Sequence, residues 1–303
     1  MEKVVTITSL TKKYGKQTAL KDVSLTINQG DIYGLVGRNG AGKTTLLKAI
    51  LQMIHPTSGE IQLFGATTPK EYTQQLGRVG NIIETPVAYD QLTALQNLNY
   101  YCKLYGIVEE NAAQKALAFV NLQNTGNKKY KGFSLGMRQK LGLALALLNK
   151  PDVLILDEPI NGLDPVAIVE IRELLLKLNR EQNITIIISS HILDELHQIA
   201  NRFGFIKDGE LVEEMDKEEF HQKASSFIRL ETTETSAAIS VLASLGILEC
   251  KVVTKNQINI YQTTVPIEQI IRALTKENIP IQGIILEAES LESYFKELIS
   301  SER

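Results

Sequence analysis

The string Gly37-Arg38-Asn39-Gly40-Ala41-Gly42-Lys43-Thr44 satisfies every fixed position of the pattern G-x-x-x-x-G-K-[ST]. Chance produces it in roughly one 300-residue chain in a hundred, so a plain glycine turn is a weak explanation. Its flanks fit the pattern. Ile32 to Val36 reads as an apolar strand, and Leu46, Leu47, Ile50, Leu51 and Ile54 recur at helical spacing until His55-Pro56 stops them. Glycines let backbone N–H groups wrap a polyphosphate at the start of a helix, where the helix dipole favours anions. In that geometry Lys43 reaches the β- and γ-phosphates, and the Thr44 hydroxyl ligates Mg²⁺. Gly37, Arg38, Asn39, Gly40, Ala41, Gly42, Lys43, Thr44 and Thr45 are the expected nucleotide-binding set.

The rest of the chain agrees with an α/β architecture. Strand-like runs return at Val153 to Leu156 and Ile184 to Ile188, each followed by a helical stretch, which points to a parallel sheet. Residues 4–9 and 22–36 read as short strands broken by turns at Gly15, Gly30 and Asp31. Residues 92–148 are mostly helical, with Leu92, Leu95, Leu98 and Tyr101 in one stripe, so a helical subdomain is expected over about 86–150. Near residue 211 the composition shifts. Glu213, Glu214, Asp216, Lys217, Glu218 and Glu219 suggest a solvated linker or exposed helix. Beyond it come a strand at 227–231, a helix at 235–245 ended by Gly246, and a hairpin turning at Lys255-Asn256. A helix opened by Pro266, a strand from Ile281 to Leu286 and an amphipathic helix carrying Leu291, Tyr294, Phe295, Leu298 and Ile299 complete it. The order βαββαβ, then α, is that of a ferredoxin-like split βαβ unit with a terminal helix. Two domains are therefore expected, 1–215 and 224–303.

Composition excludes several classes. With 32 Lys+Arg against 35 Asp+Glu the net charge is −3, so no basic face for a nucleic-acid backbone is expected. No run approaches the roughly 18 apolar residues of a spanning helix, and the first residues lack a signal pattern. Cys102 and Cys250 stand far apart and read as two reduced thiols. A cytosolic protein is expected, with any membrane action passing through a partner.

Three further segments carry chemistry. Val153 to Leu156 is an apolar strand ending in Asp157-Glu158, roughly 115 residues after the P-loop. There Asp157 sits beside bound Mg²⁺, and Glu158 is placed to orient or deprotonate an attacking water. His191 follows Ile184 to Ile188 at a strand's C-terminal end, where ligands bind in open α/β sheets. From there it would touch a γ-phosphate. Ser134 is an N-cap for the apolar helix Leu141 to Leu148, and small Gly136 lets an anion approach that second helix start. An ordinary capped helix explains the same residues.

Together these segments resemble the nucleotide-binding subunit of an ABC transporter over residues 1 to about 215. The resemblance implies a P-loop ABC-type ATPase domain with an inserted helical subdomain, acting on ATP with Mg²⁺. It places the signature at Ser134 to Met137, the D-loop at Asn161 to Asp164, the switch at His191 and an adenine-stacking aromatic at Tyr14. A lone tyrosine there equally suits the surface. The resemblance further implies an ATP-dependent head-to-tail homodimer, in which Ser134 and Gly136 contact nucleotide held by the other subunit. Asp164, in the D-loop, is counted among the nucleotide-binding residues, and separate integral membrane permease subunits receive the movement. The chain would then lie peripherally on the inner face of the membrane.

Two departures narrow the family. The signature reads Ser-Leu-Gly-Met, and the position expected for the Q-loop glutamine holds Glu84. Glutamate still binds Mg²⁺ or water but adds negative charge near phosphates, which implies altered coupling to the partner. Glu84-Thr85-Pro86 and the Leu291-Glu292-Ser293-Tyr294-Phe295 ending resemble the bacitracin and lantibiotic self-protection branch. That branch exports peptide antibiotics. The alternative, a soluble ABC-type ATPase of translation or DNA repair, calls for tandem ATPase units or a long coiled-coil insertion, where this chain has one P-loop and a short insert.

Overall fold

The structure, a computed structural model, describes residues 2–223, 226–261 and 265–288. Two compact units divide the chain, Met1–Lys217 and Glu218–Arg303.

In the first unit, β1 (Lys3–Tyr14), β2 (Gln17–Asn28) and β4 (Ser58–Leu63) form an antiparallel sheet ordered β2-β1-β4. The glycine loop lies between β3 (Ile32–Val36) and α1 (Lys43–Ile50). After α2 (Pro69–Leu76) and β5 (Val79–Ile82) come three helices, α3 (Ala94–Leu104), α4 (Ala112–Phe119) and α5 (Leu135–Ala146). The chain returns through β6 (Val153–Asp157), α6 (Pro165–Gln182), β7 (Thr185–Ser190), α7 (Leu193–Ile199), β8 (Arg202–Lys207) and β9 (Glu210–Asp216). The main sheet is ordered β5-β6-β7-β3-β8-β9 and is parallel except for β9.

Register decides where the chemistry falls. In the parallel sheet Leu156 pairs with Ile188, Asp157 with Ser189, and Val36 with Ser190. The last residues of three adjacent strands therefore meet at one edge, the carboxyl end where ligands bind in open α/β sheets. Helix α1 is held there by burial on both sides. Its Leu46, Leu47 and Ile50 pack in one core with Val5, Leu10, Leu20 and Val23 of the antiparallel sheet and with Ile155 and Ile187 of the main sheet. Each such side chain contributes about 1.5–3 kcal/mol on burial. Burial of these three anchors the helix between the two sheets.

The parallel sheet follows the sequence reading, but two segments do not. Residues 4–9 and 22–36 were expected as short strands; β1 and β2 are twelve residues each, with several register shifts between them. Ser9 and Asp22, at φ of +49° and +51°, lie where the strands bulge, and these irregularities interrupt the period-2 pattern. The charged stretch near 213 is also different. Glu213, Glu214 and Asp216 belong to β9, an antiparallel edge strand, and only from Lys217 does helix α8 (Lys217–Lys223) begin. Half-buried Glu214 accepts a hydrogen bond from Arg202 Nη2 at 2.8 Å, which lets an acidic segment lie against the sheet.

The second unit contains β10 (Ser226–Glu231), α9 (Thr235–Ser244), β11 (Cys250–Thr254), β12 (Gln257–Ile260), α10 (Ile267–Lys276) and β13 (Gly283–Ala288). Its sheet is ordered β11-β12-β10-β13 with every pair antiparallel, the split βαβ arrangement. Ile228, Leu230, Ile258 and Ile260 pack against Ala238, Leu242, Ile270 and Leu274 of the two helices. The helix expected over 291–299 lies outside the described residues.

Candidate active site

The glycine loop is shaped by close approach. A Cβ on Gly37 would lie 2.6 Å from the Ile206 carbonyl oxygen, and one on Gly42 would lie 2.8 Å from that of Ala19. Gly42 also has φ of +111° and caps α1, while Gly40 has φ of +84°. Lys43 is buried, and its Nζ donates to the carbonyls of Gly37 at 2.6 Å and Arg38 at 3.2 Å. An ammonium thus pins the loop from inside. Around it opens a cavity of about 460 Å³ lined by Asn39, Gly40, Gly42, Lys43, Thr44 and Thr45, with Tyr14 and Glu158 also on its wall. Tyr14 is half exposed there, with Lys12 Nζ 4.8 Å from its ring centre. Gly37, Arg38 and Ala41 build the loop without lining the cavity.

The acids at the end of β6 complete it. Asp157 is buried, accepting from Thr44 Oγ1 on Oδ2 at 2.7 Å and from Ser189 Oγ on Oδ1 at 2.6 Å. Glu158 has φ of +49°, and its backbone N–H donates to Ser189 Oγ at 3.0 Å. Its carboxylate is shared, with Lys43 Nζ 3.1 Å from Oε1 and His191 Nδ1 2.9 Å from Oε2. The Gly37 N–H donates to the Ser190 carbonyl at 3.3 Å, tying the loop to the end of β7. Among the described residues no group of three or more His, Cys, Asp or Glu is gathered for a metal. A hydroxyl and one carboxylate at Thr44 and Asp157 suit Mg²⁺, which is held through few protein oxygens when phosphates supply others.

Other expected site residues lie elsewhere. Ser134 caps α5 and accepts from the Met137 N–H at 3.3 Å; a Cβ on Gly136 would lie 3.0 Å from Ala167 Cβ. Asp164 caps α6, accepting from the N–H groups of Val166 at 3.1 Å and Ala167 at 3.0 Å. Glu84, at φ of +64°, pairs with Lys48 Nζ at 2.5 Å and lines a groove of about 390 Å³ together with Pro86, Tyr101 and Tyr105. None of these four residues lines the P-loop cavity of its own chain.

A family model described as ABC transporter matches residues 20–161. Over 299 residues the chain is 41% identical to the bacitracin transport ATP-binding protein BcrA of Enterococcus faecalis, covering 99% of this chain and 97% of that protein. The chain belongs to the ABC transporter family, as an ATP-binding subunit. A lantibiotic transport ATP-binding protein, SrtF of Streptococcus pyogenes, is 42% identical over 211 residues, spanning 69% of this chain and 90% of that one. Among solved structures, a dimeric ATP-binding cassette in a post-hydrolysis state with ADP and phosphate matches at a TM-score of 0.62. It is 28% identical and covers 70% of this chain and 98% of that one.

This ABC ATPase has the family's P-loop fold, which implies binding of ATP with Mg²⁺. Membership also implies membrane permease subunits and a dimer. Among the described residues no helix is long and apolar enough to cross a membrane. Gln17, Thr18, Ala19, Asp208 and Gly209 also line the cavity, and Ser189 lies behind it. The first five belong to no motif. Ser189 had a signal, a polar pair closing an otherwise apolar strand just before His191.

Proposed function

We propose that this ABC ATPase powers export of a peptide antibiotic or similar amphiphile through separate membrane subunits. Likeness to a bacitracin transport ATP-binding protein over nearly the whole length of both chains carries the substrate class. Lys43, Thr44 and Glu158 on one cavity wall, with Asp157 bonded to Thr44 and His191 to Glu158 behind it, support the chemistry. Thr44 and Asp157 would hold Mg²⁺, which supplies positive charge against the triphosphate. Lys43 and the loop N–H groups of residues 37–45 bind phosphates, and Tyr14 offers a ring to adenine. Glu158 accepts the proton of the attacking water, and His191, hydrogen-bonded to it, orients the carboxylate.

Ser134, Gly136 and Asp164 serve a nucleotide held by a second copy, which accounts for their separation from the cavity of their own chain. Glu84 belongs to coupling: its partner Lys48 lies on the helix that opens at the P-loop, and its groove is a separate one. Residues 1–215 are the motor, with the helical subdomain at about 86–150, and 224–303 form an accessory domain that packs or stabilises the dimer. The chain works from the cytoplasmic side, peripheral to the membrane.

Purification from detergent-solubilised membranes tests the assignment. An integral membrane subunit is expected to co-purify, and co-expression with it raises resistance to bacitracin-like peptides in wild type but not in Glu158→Gln. Purification with ribosomes or DNA-repair proteins instead would overturn it.

A further inference from the structure

We infer that Ser189 is a positioning residue that sets both acids of the site through one hydroxyl. Resting on the roles proposed for Asp157 and Glu158, it goes beyond them by naming what holds the two in place. Ser189 is fully buried and is the register partner of Asp157 across β7 and β6, so their side chains stand side by side on one face. A serine hydroxyl has one proton to give and lone pairs to accept with. Its proton goes to Asp157 Oδ1 at 2.6 Å, and its oxygen accepts the Glu158 N–H at 3.0 Å.

Both uses have consequences. With Oδ1 occupied, Asp157 turns Oδ2 toward Thr44 Oγ1 at 2.7 Å, which orients the hydroxyl–carboxylate pair proposed to meet Mg²⁺. The second bond fixes the backbone of Glu158 at φ of +49°, a left-handed conformation that side-chain-bearing residues rarely adopt. That conformation lets the Glu158 carboxylate reach Lys43 and His191 while Asp157 remains buried beside it. The neighbouring Ser190 does different work: its Oγ accepts from the Ile192 N–H at 2.9 Å.

The test is the Mg²⁺ dependence of nucleotide binding, read by calorimetry with the non-hydrolysable analogue AMP-PNP on the full chain. Ser189→Ala is expected to raise the Mg²⁺ concentration for half-maximal binding, and to lower kcat, by ~10–100-fold, the range for lost partners of metal ligands. The KM for ATP at saturating Mg²⁺ moves far less. Ser189→Thr, which keeps the hydroxyl, restores the wild-type midpoint; Ser189→Val, matched to Thr in shape, behaves like the alanine variant. A wild-type midpoint and kcat in Ser189→Ala would overturn the inference, as would Thr and Val variants that behave alike. Ser189→Ala adds no atoms and decides the matter even where the branched variants do not fold. Asp157→Asn, run in parallel, separates the two levels. If Asp157→Asn shifts the midpoint and Ser189→Ala does not, the inference alone fails; if Asp157→Asn also leaves it unmoved, the site reading falls with it.

Discussion

Lys43 and Glu158 face each other across the phosphate loop, with Nζ 3.1 Å from Oε1, and both side chains are largely withdrawn from solvent. The same ammonium also donates to two loop carbonyls, so its charge is neutralised within the protein. On the roles proposed above, a triphosphate drawing Lys43 away from Glu158 would free the carboxylate to accept a proton from water. Nucleotide binding and arming of the base would thereby be linked through one ion pair.

Glu158→Gln tests that link. The amide cannot act as a base, and general-base catalysis accounts for ~10²–10⁴ in rate, so steady-state hydrolysis should fall by that factor. ATP binding is retained, because Lys43 loses a competing anion, and an ATP-bound dimer accumulates on size-exclusion chromatography. Unchanged turnover would rule out the assigned role.

Much of this site is legible in the residue string because its chemistry is local. The P-loop needs glycines at fixed spacing before Lys43-Thr44, and Asp157-Glu158 and His191 follow short apolar runs that read as buried strands. What the string conceals is lateral. Ser189 and Asp157 become partners only through parallel register, and Asp208 and Gly209 join the cavity because β8 lies beside β3. Likewise β9 reads as a charged linker or exposed helix until β8, with Arg202, is known to lie beside it. Long-range pairing decides these features.

Gly42→Ala separates shape from charge at the loop. A methyl there would sit 2.8 Å from the Ala19 carbonyl and 3.0 Å from Leu20 Cδ2, on a residue with φ of +111°. The strain costs ~1–3 kcal/mol, and relief by moving the loop removes the phosphate cradle. Thermal melting should show the loss, and calorimetry should show nucleotide binding abolished. Gly15→Ala, at φ of +58° with open space around the added carbon, costs ~1–2 kcal/mol and leaves binding in place.

Glu84→Gln removes the charge of a pair with Lys48 that is exposed on both sides, with side-chain exposures of 65% and 30%. Such pairs are worth less than ~1 kcal/mol, so stability and most ATPase activity are retained. The expected effect is on coupling: antibiotic resistance conferred with the membrane subunit changes while hydrolysis persists. Complete loss of ATP binding in this variant would show that Glu84 acts on the nucleotide instead.

Arg202→Met removes the cation shared by Asp31 at 3.1 Å and Glu214 at 2.8 Å. Burial already holds the Glu214 carboxyl above the usual glutamate range, against the downward pull of Arg202. A carboxyl raised in the folded state binds its proton more readily there than in the unfolded chain. Stability therefore falls as pH rises from the ordinary value through the raised one. Without Arg202 that fall deepens. The variant should lose about 1–3 kcal/mol at pH 7, less than a fully buried pair because the groups are partly solvated, and recover part of it near pH 5. Equal losses at both pH values in urea melts would refute the account.

The separation of Ser134, Gly136 and Asp164 from their own cavity makes a mixing experiment decisive for the dimer. In a head-to-tail pair each site takes its P-loop from one copy and its Ser134 from the other. Lys43→Ala and Ser134→Arg should each be inactive alone, since each spoils both sites. Mixed before ATP is added, random pairing gives about half of the dimers one protomer of each kind, and each such dimer has one site built from an intact P-loop and an intact α5 start. Hydrolysis should return to about a quarter of the wild-type rate, in proportion to intact sites. Recovery that rises with the heterodimer fraction supports the shared site; no recovery at any mixing ratio counts against Ser134 acting across the interface.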